Sequence, residues 1–199
     1  SLVESKRRRR RELAQNAISL DPFDSRNHIT MAWSWLQAGS GERAESHFKL
    51  AVDLNPFDSE TLIASAMGLA FLGHIERARE WAEAAVRLNP LHPGYFTGYL
   101  ASIRYLSGDL PETIRLVSLN PDVFPETLAW AAAAHARLGN GAEACAFYGK
   151  FIEQIGAIWE GTSKPPRWED LSAWLLRALP FGFDAGRKEF ESGLLRARS

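Results

Sequence analysis

Apolar and polar positions along the chain follow the helical period of about 3.6 residues per turn through a long series of paired blocks. In each pair the first block runs into a glycine and the second into a proline. The stretch MAWSWLQAG, residues 31–39, shows how such a block is read. Trp33 and Trp35 stand two apart, so on a helix they point roughly 200° away from each other and cannot share a face. One belongs to the packed side, and the other faces something else.

The pairs repeat. Leu20-Asp21-Pro22, Leu54-Asn55-Pro56, Leu88-Asn89-Pro90 and Leu119-Asn120-Pro121 place prolines 34, 34 and 31 residues apart. Gly39, Gly73, Gly108 and Gly139 follow at 34, 35 and 31, and the small residues Ala44, Ala78, Thr113 and Ala144 track them. Glycine permits the left-handed turn that ends the first helix of each pair, and proline cannot continue the second. A two-helix unit of this size cannot bury its apolar face alone, whereas stacked neighbours can. The expected fold class is therefore all-α, an α-solenoid of helix-turn-helix repeats with capping helices at the C-terminus.

Irregularities in the repeat carry their own expectations. Gly108 to Pro121 is 13 residues, where Gly39 to Pro56 and Gly73 to Pro90 are 17, so the third repeat's second helix is about one turn short. Pro111 falls in that helix's first turn, where proline is tolerated. Arg11 to Leu20, ending in Asp21-Pro22, reads as a second helix without its first, which predicts a piece of a longer polypeptide. Beyond residue 155 the period stops: Glu160–Arg167 reads as a loop, Trp168–Leu179 as a helix broken by Pro180, and Asp184–Arg196 as a last helix with Asp184 as its N-cap. The expected organisation is residues 1–22 as an incomplete repeat with a basic run, 23–155 as four repeats with the third clipped, and 156–199 as loop plus capping helices.

The period of 34, the two-helix unit, the small residue after the glycine turn and the terminal Asn-Pro resemble the tetratricopeptide repeat family. The family pattern falls on Met31, Ala32, Trp35, Ala44, Phe48, Ala51 and Pro56 in the first repeat, and on Leu62, Ala66, Leu69, Ala78, Ala82, Ala85 and Pro90 in the second. The third fits as Phe96, Tyr99, Ile103, Thr113 and Pro121, and the fourth as Leu128, Ala132, His135, Ala144, Tyr148 and Phe151. A closer resemblance rests on NPLHPGYFTGYLASIRYLSGD, the clipped helix behind it, AWAAAAHARLGNGAEA, and a Trp-containing helix running into LPF and GLLRAR. These words look like the C-terminal repeat region of bacterial class III adenylate cyclases and winged-helix transcriptional regulators.

The resemblance implies a right-handed superhelix whose first helices line a concave groove. Carried over residue by residue, the groove positions are Arg26, Ile29, Trp33 and Gln37, then Glu60, Ile63, Met67 and Phe71, then Thr97, Ala101, Arg104 and Tyr105, then Trp130, Ala133 and Arg137. Trp35 takes the large packing position and is expected in the core, with Trp33 in the groove. On that assignment Trp35→Ala costs roughly 3 to 5 kcal/mol of stability, and Trp33→Ala costs little stability but about 2 kcal/mol or more of binding. The family's chaperone-tail readers hold a carboxylate with Lys and Asn where this chain has Ile29 and Trp33. This groove is expected instead to take an apolar or amphipathic helical segment of a protein or peptide. The alternative is a trough filled by the chain's own tail, through Trp174, Leu175 and Phe181.

Composition narrows the chemistry. The net charge of −1 hides a basic run, Lys6 and Arg7 to Arg11; without those six of the 23 basic residues, 17 face 24 acidic ones. Nucleic acid is therefore not expected as a partner except through Lys6–Arg11. With no apolar run of about 20 residues and one cysteine, a cytoplasmic location is expected. His28, His47, His74, His92 and His135 have no metal-ligand spacing, Gly39-Ser40-Gly41 lacks a phosphate loop's lysine, and Ser46 to Lys49 lies mid-helix. Cys145 reads as a small hydrophobe beside the packing surface, and Glu76, Glu80 and Glu83 with Arg77 and Arg79 read as surface pairs within one helix. Neither catalysis, metal nor cofactor is expected. The expected function is a protein-binding module, regulatory or sensory, in a bacterial signalling or transcription-regulating protein; the rivals are a stand-alone adaptor and a small-molecule sensor. A homodimer through apolar ends bearing Trp159 and Trp168 is compatible with this reading.

Overall fold

In the computed structural model, residues 2–159 and 166–198 are described, and they form eleven helices and no strand. The chain divides into two compact units, residues 1–92 and 93–199. The fold class is the expected all-α helical-repeat solenoid.

The N-terminal unit holds α1 (Leu2–Leu20), α2 (Ser25–Gln37), α3 (Gly41–Leu54), α4 (Ser59–Phe71) and α5 (Ile75–Leu88). Asp24 and Asp58 cap α2 and α4 by accepting from backbone N–H groups of the first turn, those of Arg26 and Thr61 among them. The glycine turns behave as read: Gly39 and Gly73 sit at φ 75° and 86°, in the left-handed region open to glycine at little cost. Phe48 of α3 is fully buried, and Gly68 of α4 lets it come close, because a Cβ there would meet the Phe48 ring at 2.1 Å. The small residues Ala78, Ala82 and Ala85 bury the inner stripe of α5. Glu45 of α3 pairs with Lys49 and with His74 and lies 3.9 Å from Arg77, both at the start of α5. Arg77 thus reaches another helix rather than acting only within its own. The Lys49 and His74 partners hold the Glu45 carboxyl below its usual range.

The helix α1 is longer than the sequence reading, which began it at Arg11; the basic run is helical too, and Arg8 donates to Glu12 at 3.0 Å one turn on. Asn27 of α2 donates to the carbonyls of Ala17 and Asp21, tying the end of α1 to α2. His28 is buried, bonded through Nε2 to the Pro22 carbonyl at 2.9 Å and through Nδ1 to His47 Nδ1 at 3.0 Å.

The C-terminal unit holds α6 (Tyr95–Leu106), α7 (Leu110–Leu119), α8 (Pro125–Arg137), α9 (Gly141–Ile158), α10 (Trp168–Ala178) and α11 (Asp184–Ala197). The helix α7 has 10 residues against 14 in α3 and α5, with Pro111 in its first turn, as the spacing predicts. Gly98 of α6 takes the edge of Phe124, where a Cβ would meet the ring at 2.9 Å. Two local expectations are corrected. Asp184 is the first residue of α11 and Phe183 its cap, and Cys145 is exposed rather than beside the core, because it follows Ala144 onto the solvent side of α9. Of the expected loop Glu160–Arg167, residues 160–165 lie outside the described residues.

Candidate functional site

In the N-terminal unit, α2 and α4, which carry the first eight groove positions, pack against each other. These positions are not equally available. Ile63 and Phe71 are fully buried, correcting their assignment to an open groove. The reason lies in α4, which buries Thr61, Leu62, Ile63, Ser65, Ala66 and Gly68 to Phe71, so almost no face of it is left for a partner. Trp33 is half-buried, its ring edge-on to Phe48 at 5.6 Å and to Phe71 at 6.3 Å. Arg26 is exposed, but its guanidinium bonds to Asp24 at 2.8 and 3.0 Å, and this partner holds the Asp24 carboxyl below its usual range. Gln37 accepts from Arg10 at 3.1 Å, and Glu60 is exposed at the rim. Ile29, Trp33 and Met67 remain part-exposed apolar positions.

Trp35 is not the core residue the pattern implies. It is half-buried, with the guanidinium of Arg11 5.3 Å from its ring centroid and that of Arg43 at 4.6 Å. The two tryptophans do face different ways, and each keeps a minor part of its surface exposed.

The C-terminal unit differs. Thr97, Ala101, Tyr105, Trp130 and Ala133 are all buried, which corrects their placement in an open groove. What covers Tyr105, Trp130 and Ala133 is α11. Phe190 sits 4.2 Å from the Trp130 ring and edge-on to Tyr105 at 5.7 Å, and Phe181, just before α11, lies 6.0 Å from Trp130. Gly193 lies against Ala133, where a Cβ would meet the Ala133 carbonyl oxygen at 3.0 Å and its Cβ at 3.1 Å, so a larger residue would require Ala133 to give way. Polar contacts close one edge: Arg137 pairs with the Glu189 carboxylate at 3.0 Å, and the Tyr105 hydroxyl donates to the Glu189 carbonyl at 3.3 Å. Burial pushes the Tyr105 hydroxyl up to about 12, with Arg137 pulling the other way. Arg104 turns to Asp109 at 3.8 Å, and the Thr97 hydroxyl donates to the Gly94 carbonyl at 2.6 Å.

The tail-filled alternative thus describes this unit, though not through all the residues expected. Phe181 reaches the strip, whereas Trp174 packs edge-on to Trp159 at 6.4 Å. Phe190, Gly193 and Leu194 were not singled out in the sequence. Their signal is the spacing of Gly186, Phe190, Gly193, Leu194 and Ala197, the buried stripe of α11.

Ser46 donates to the Glu42 carbonyl and Lys49 pairs with Glu45. Among the described residues no group of three His, Cys, Asp or Glu could hold a metal ion, and no helix is long and apolar enough to cross a membrane.

Two stretches, residues 60–84 and 125–150, match the sequence model of the tetratricopeptide repeat. Each covers nearly all or all of a first helix and more than half of the second helix of its pair, α4 with α5 and α8 with α9. The fold is a tetratricopeptide-type solenoid. A tetratricopeptide repeat protein from Parabacteroides merdae ATCC 43184 has a similar solved structure, with a TM-score of 0.61 at 16% identity over 98% of this chain and 79% of that one. No curated protein matches the chain. Tetratricopeptide repeats generally bind other proteins, and proteins built from them are typically scaffolds without catalysis of their own.

Proposed function

We propose that this chain is a non-catalytic module that binds an amphipathic helix of a partner protein on the strip of α2 and α4, at Ile29, Trp33 and Met67 with Glu60 at the rim. The observation that carries it is α11: the equivalent strip of the C-terminal unit receives an amphipathic helix through Phe190, Gly193 and Leu194. A first-helix face of this chain therefore has the shape and polarity to take a helix, the mode in which apolar anchors at helical spacing enter a groove.

The wider setting we propose is the regulatory or sensory part of a cytoplasmic bacterial signalling or transcription-regulating protein. The sequence words shared with the repeat regions of such regulators support it, and so does a built-in occupant of one strip. The rival is a stand-alone adaptor with the same strip. An immunoblot of the native polypeptide separates them, since a mass far above 22.2 kDa places an effector domain on the same chain and a mass near it sinks the regulator reading.

The binding reading is tested by placing a photo-crosslinking amino acid at Met67 in the source cells. A discrete adduct that Trp33→Ala abolishes, and that a probe on exposed Glu83 of α5 does not give, is the expected result. Adducts that ignore Trp33 would end the proposal.

A further inference from the structure

Three turns of the N-terminal unit are built alike and carry the same kind of side chain. The turn after α3 is closed by the Asp58 N–H donating to the Asn55 carbonyl at 3.4 Å, and the turn after α5 by the His92 N–H donating to the Asn89 carbonyl at 3.1 Å. Pro56 with Phe57 and Pro90 with Leu91 are therefore the middle residues of tight turns, and Pro22 with Phe23 hold the same places after α1. Phe23, Phe57 and Leu91 stand 34 residues apart and are 78%, 81% and 95% exposed.

The fold does not ask for them. Such a turn accepts most residue types at its middle positions, and side chains this exposed add little to packing. After α7 the matching turn, closed by the Val123 N–H on the Asn120 carbonyl, holds the exposed Asp122, which accepts from Gln154 at 2.7 Å. The turns at the other ends of the unit's helices, after Gly39 and Gly73, carry Ser40 and His74. Large apolar side chains kept in water at one repeating position mark a contact surface.

We propose that this row receives a basic amphipathic helix from a partner protein. Spacing defines the form of the occupant. Each turn leads out of the second helix of a repeat, so stacking brings the turns to one edge of the unit. The helices that follow the first two turns, α2 and α4, pack against each other, and packed helices stand roughly 8 to 10 Å apart. A helix advances about 10.5 Å over seven residues, so apolar side chains at i, i+7 and i+14 keep step with three successive turns.

Charge defines its chemistry. Within four residues of the three side chains stand Asp21, Asp24, Asp53, Asp58 and Glu60 against Arg26 and Arg87. Arg26 is already held by Asp24 at 2.8 Å. The border of the row is therefore net acidic, which repels nucleic-acid phosphates and anionic lipid and sets a second copy of this edge against itself. Lysine and arginine reach on long stems from the margin of an apolar face to such carboxylates, so a helix with an apolar stripe between cations is the complement.

The test uses the 199-residue chain and a fluorescein-labelled designed helix of about 18 residues, roughly five turns, with leucine at i, i+7 and i+14 and lysine on both sides of that stripe. The comparison probes are the same peptide with glutamate for lysine, an isomer whose leucines are scattered around the helix, and phosphatidylcholine vesicles. The expected result by anisotropy is binding of the striped lysine peptide at least about tenfold tighter than either altered peptide, weakening as salt rises. Phe57→Ser should weaken it by about tenfold, and Phe57→Leu should restore it. Asp53→Lys should narrow the preference for lysine over glutamate by about threefold. Circular dichroism of each variant checks that the helices persist. Trp33→Ala should leave this binding unchanged, which separates the row from the strip of α2 and α4. Equal binding of the peptides, no binding, or indifference to Phe57→Ser would overturn the proposal. So would vesicle binding through Phe57, or a concentration-dependent dimer that Phe57→Ser dissolves, since the row would then serve a membrane or a second copy.

Discussion

The strip of α2 and α4 and the strip of α6 and α8 are built from the same repeat positions, yet one is half open and the other is closed by a helix of the same chain. In the first, Ile29, Trp33 and Met67 keep part of their surface in solvent. In the second, Tyr105 and Trp130 are buried beneath Phe190, with Gly193 admitting α11 onto Ala133. The difference teaches that repeat position defines which side chains form a strip, and that whether the strip is surface or core depends on what lies over it.

The largest expected effect tests the closed strip. Phe190 is fully buried among Tyr105, Trp130 and Phe181, so Phe190→Ala should cost roughly 3 to 5 kcal/mol. Chemical denaturation should show the loss in the transition that carries the C-terminal unit. A cost under about 1 kcal/mol would mean that α11 is only loosely laid on the strip.

Next comes the contrast between the two tryptophans and the phenylalanine between them. Phe48→Ala, at a fully buried site, should cost roughly 3 to 5 kcal/mol. Trp33→Ala and Trp35→Ala remove part-buried rings and should each cost less, about 1 to 2 kcal/mol. For Trp35 this is below the value its repeat position suggests, because the guanidiniums of Arg11 and Arg43 cover it in place of core side chains. Thermal melts in which Trp35→Ala matches Phe48→Ala would restore it to the core.

The pH dependence sharpens the comparison further. Burial and the neighbouring His28 lower the affinity of His47 for its proton. The unfolded chain then takes up that proton first, so the contribution of this group to stability is full above about pH 6.5 and is lost as pH falls below it. In the C-terminal unit, burial also lowers His135, with Glu143 opposing the shift. Denaturation from pH 7.5 to 5.5 should show acid weakening of the N-terminal unit that His47→Asn diminishes. An unchanged slope in that variant would remove His47 as the source.

The smallest effect belongs to the edge of the closed strip. Arg137 and Glu189 are part-exposed, so Glu189→Gln should cost no more than about 1 kcal/mol and less at high salt. A large loss in urea titrations would show that the ion pair, rather than Phe190, holds α11 down.

Much of this was legible in the residues, and the parts that were not share a cause. Spacing alone gave Gly39, Gly73, Gly108 and Gly139 their left-handed turns, and it gave α7 its missing turn. The angular separation of Trp33 and Trp35 was legible too, but their exposures were not. Those depend on Phe71 and Phe48 on one side and on Arg11 and Arg43 on the other, residues that come from three other helices. The stripe of α11 announced that this helix buries a face without saying against what. Ile63 and Phe71 failed as open groove positions for the same reason, since α4 is covered on nearly every side.

The sequence by itself determined the all-α repeat, the helix boundaries set by glycine and proline, and the side chains that share each face. These follow from φ preferences and from the 100° step of the helix, which act over a few residues. Tertiary structure alone decided that α11 closes the strip of α6 and α8, and that His28 meets His47. Such outcomes turn on how well distant surfaces fit each other, as Gly193 fits Ala133, and complementarity between two faces is a property of the pair that neither stretch of sequence carries alone.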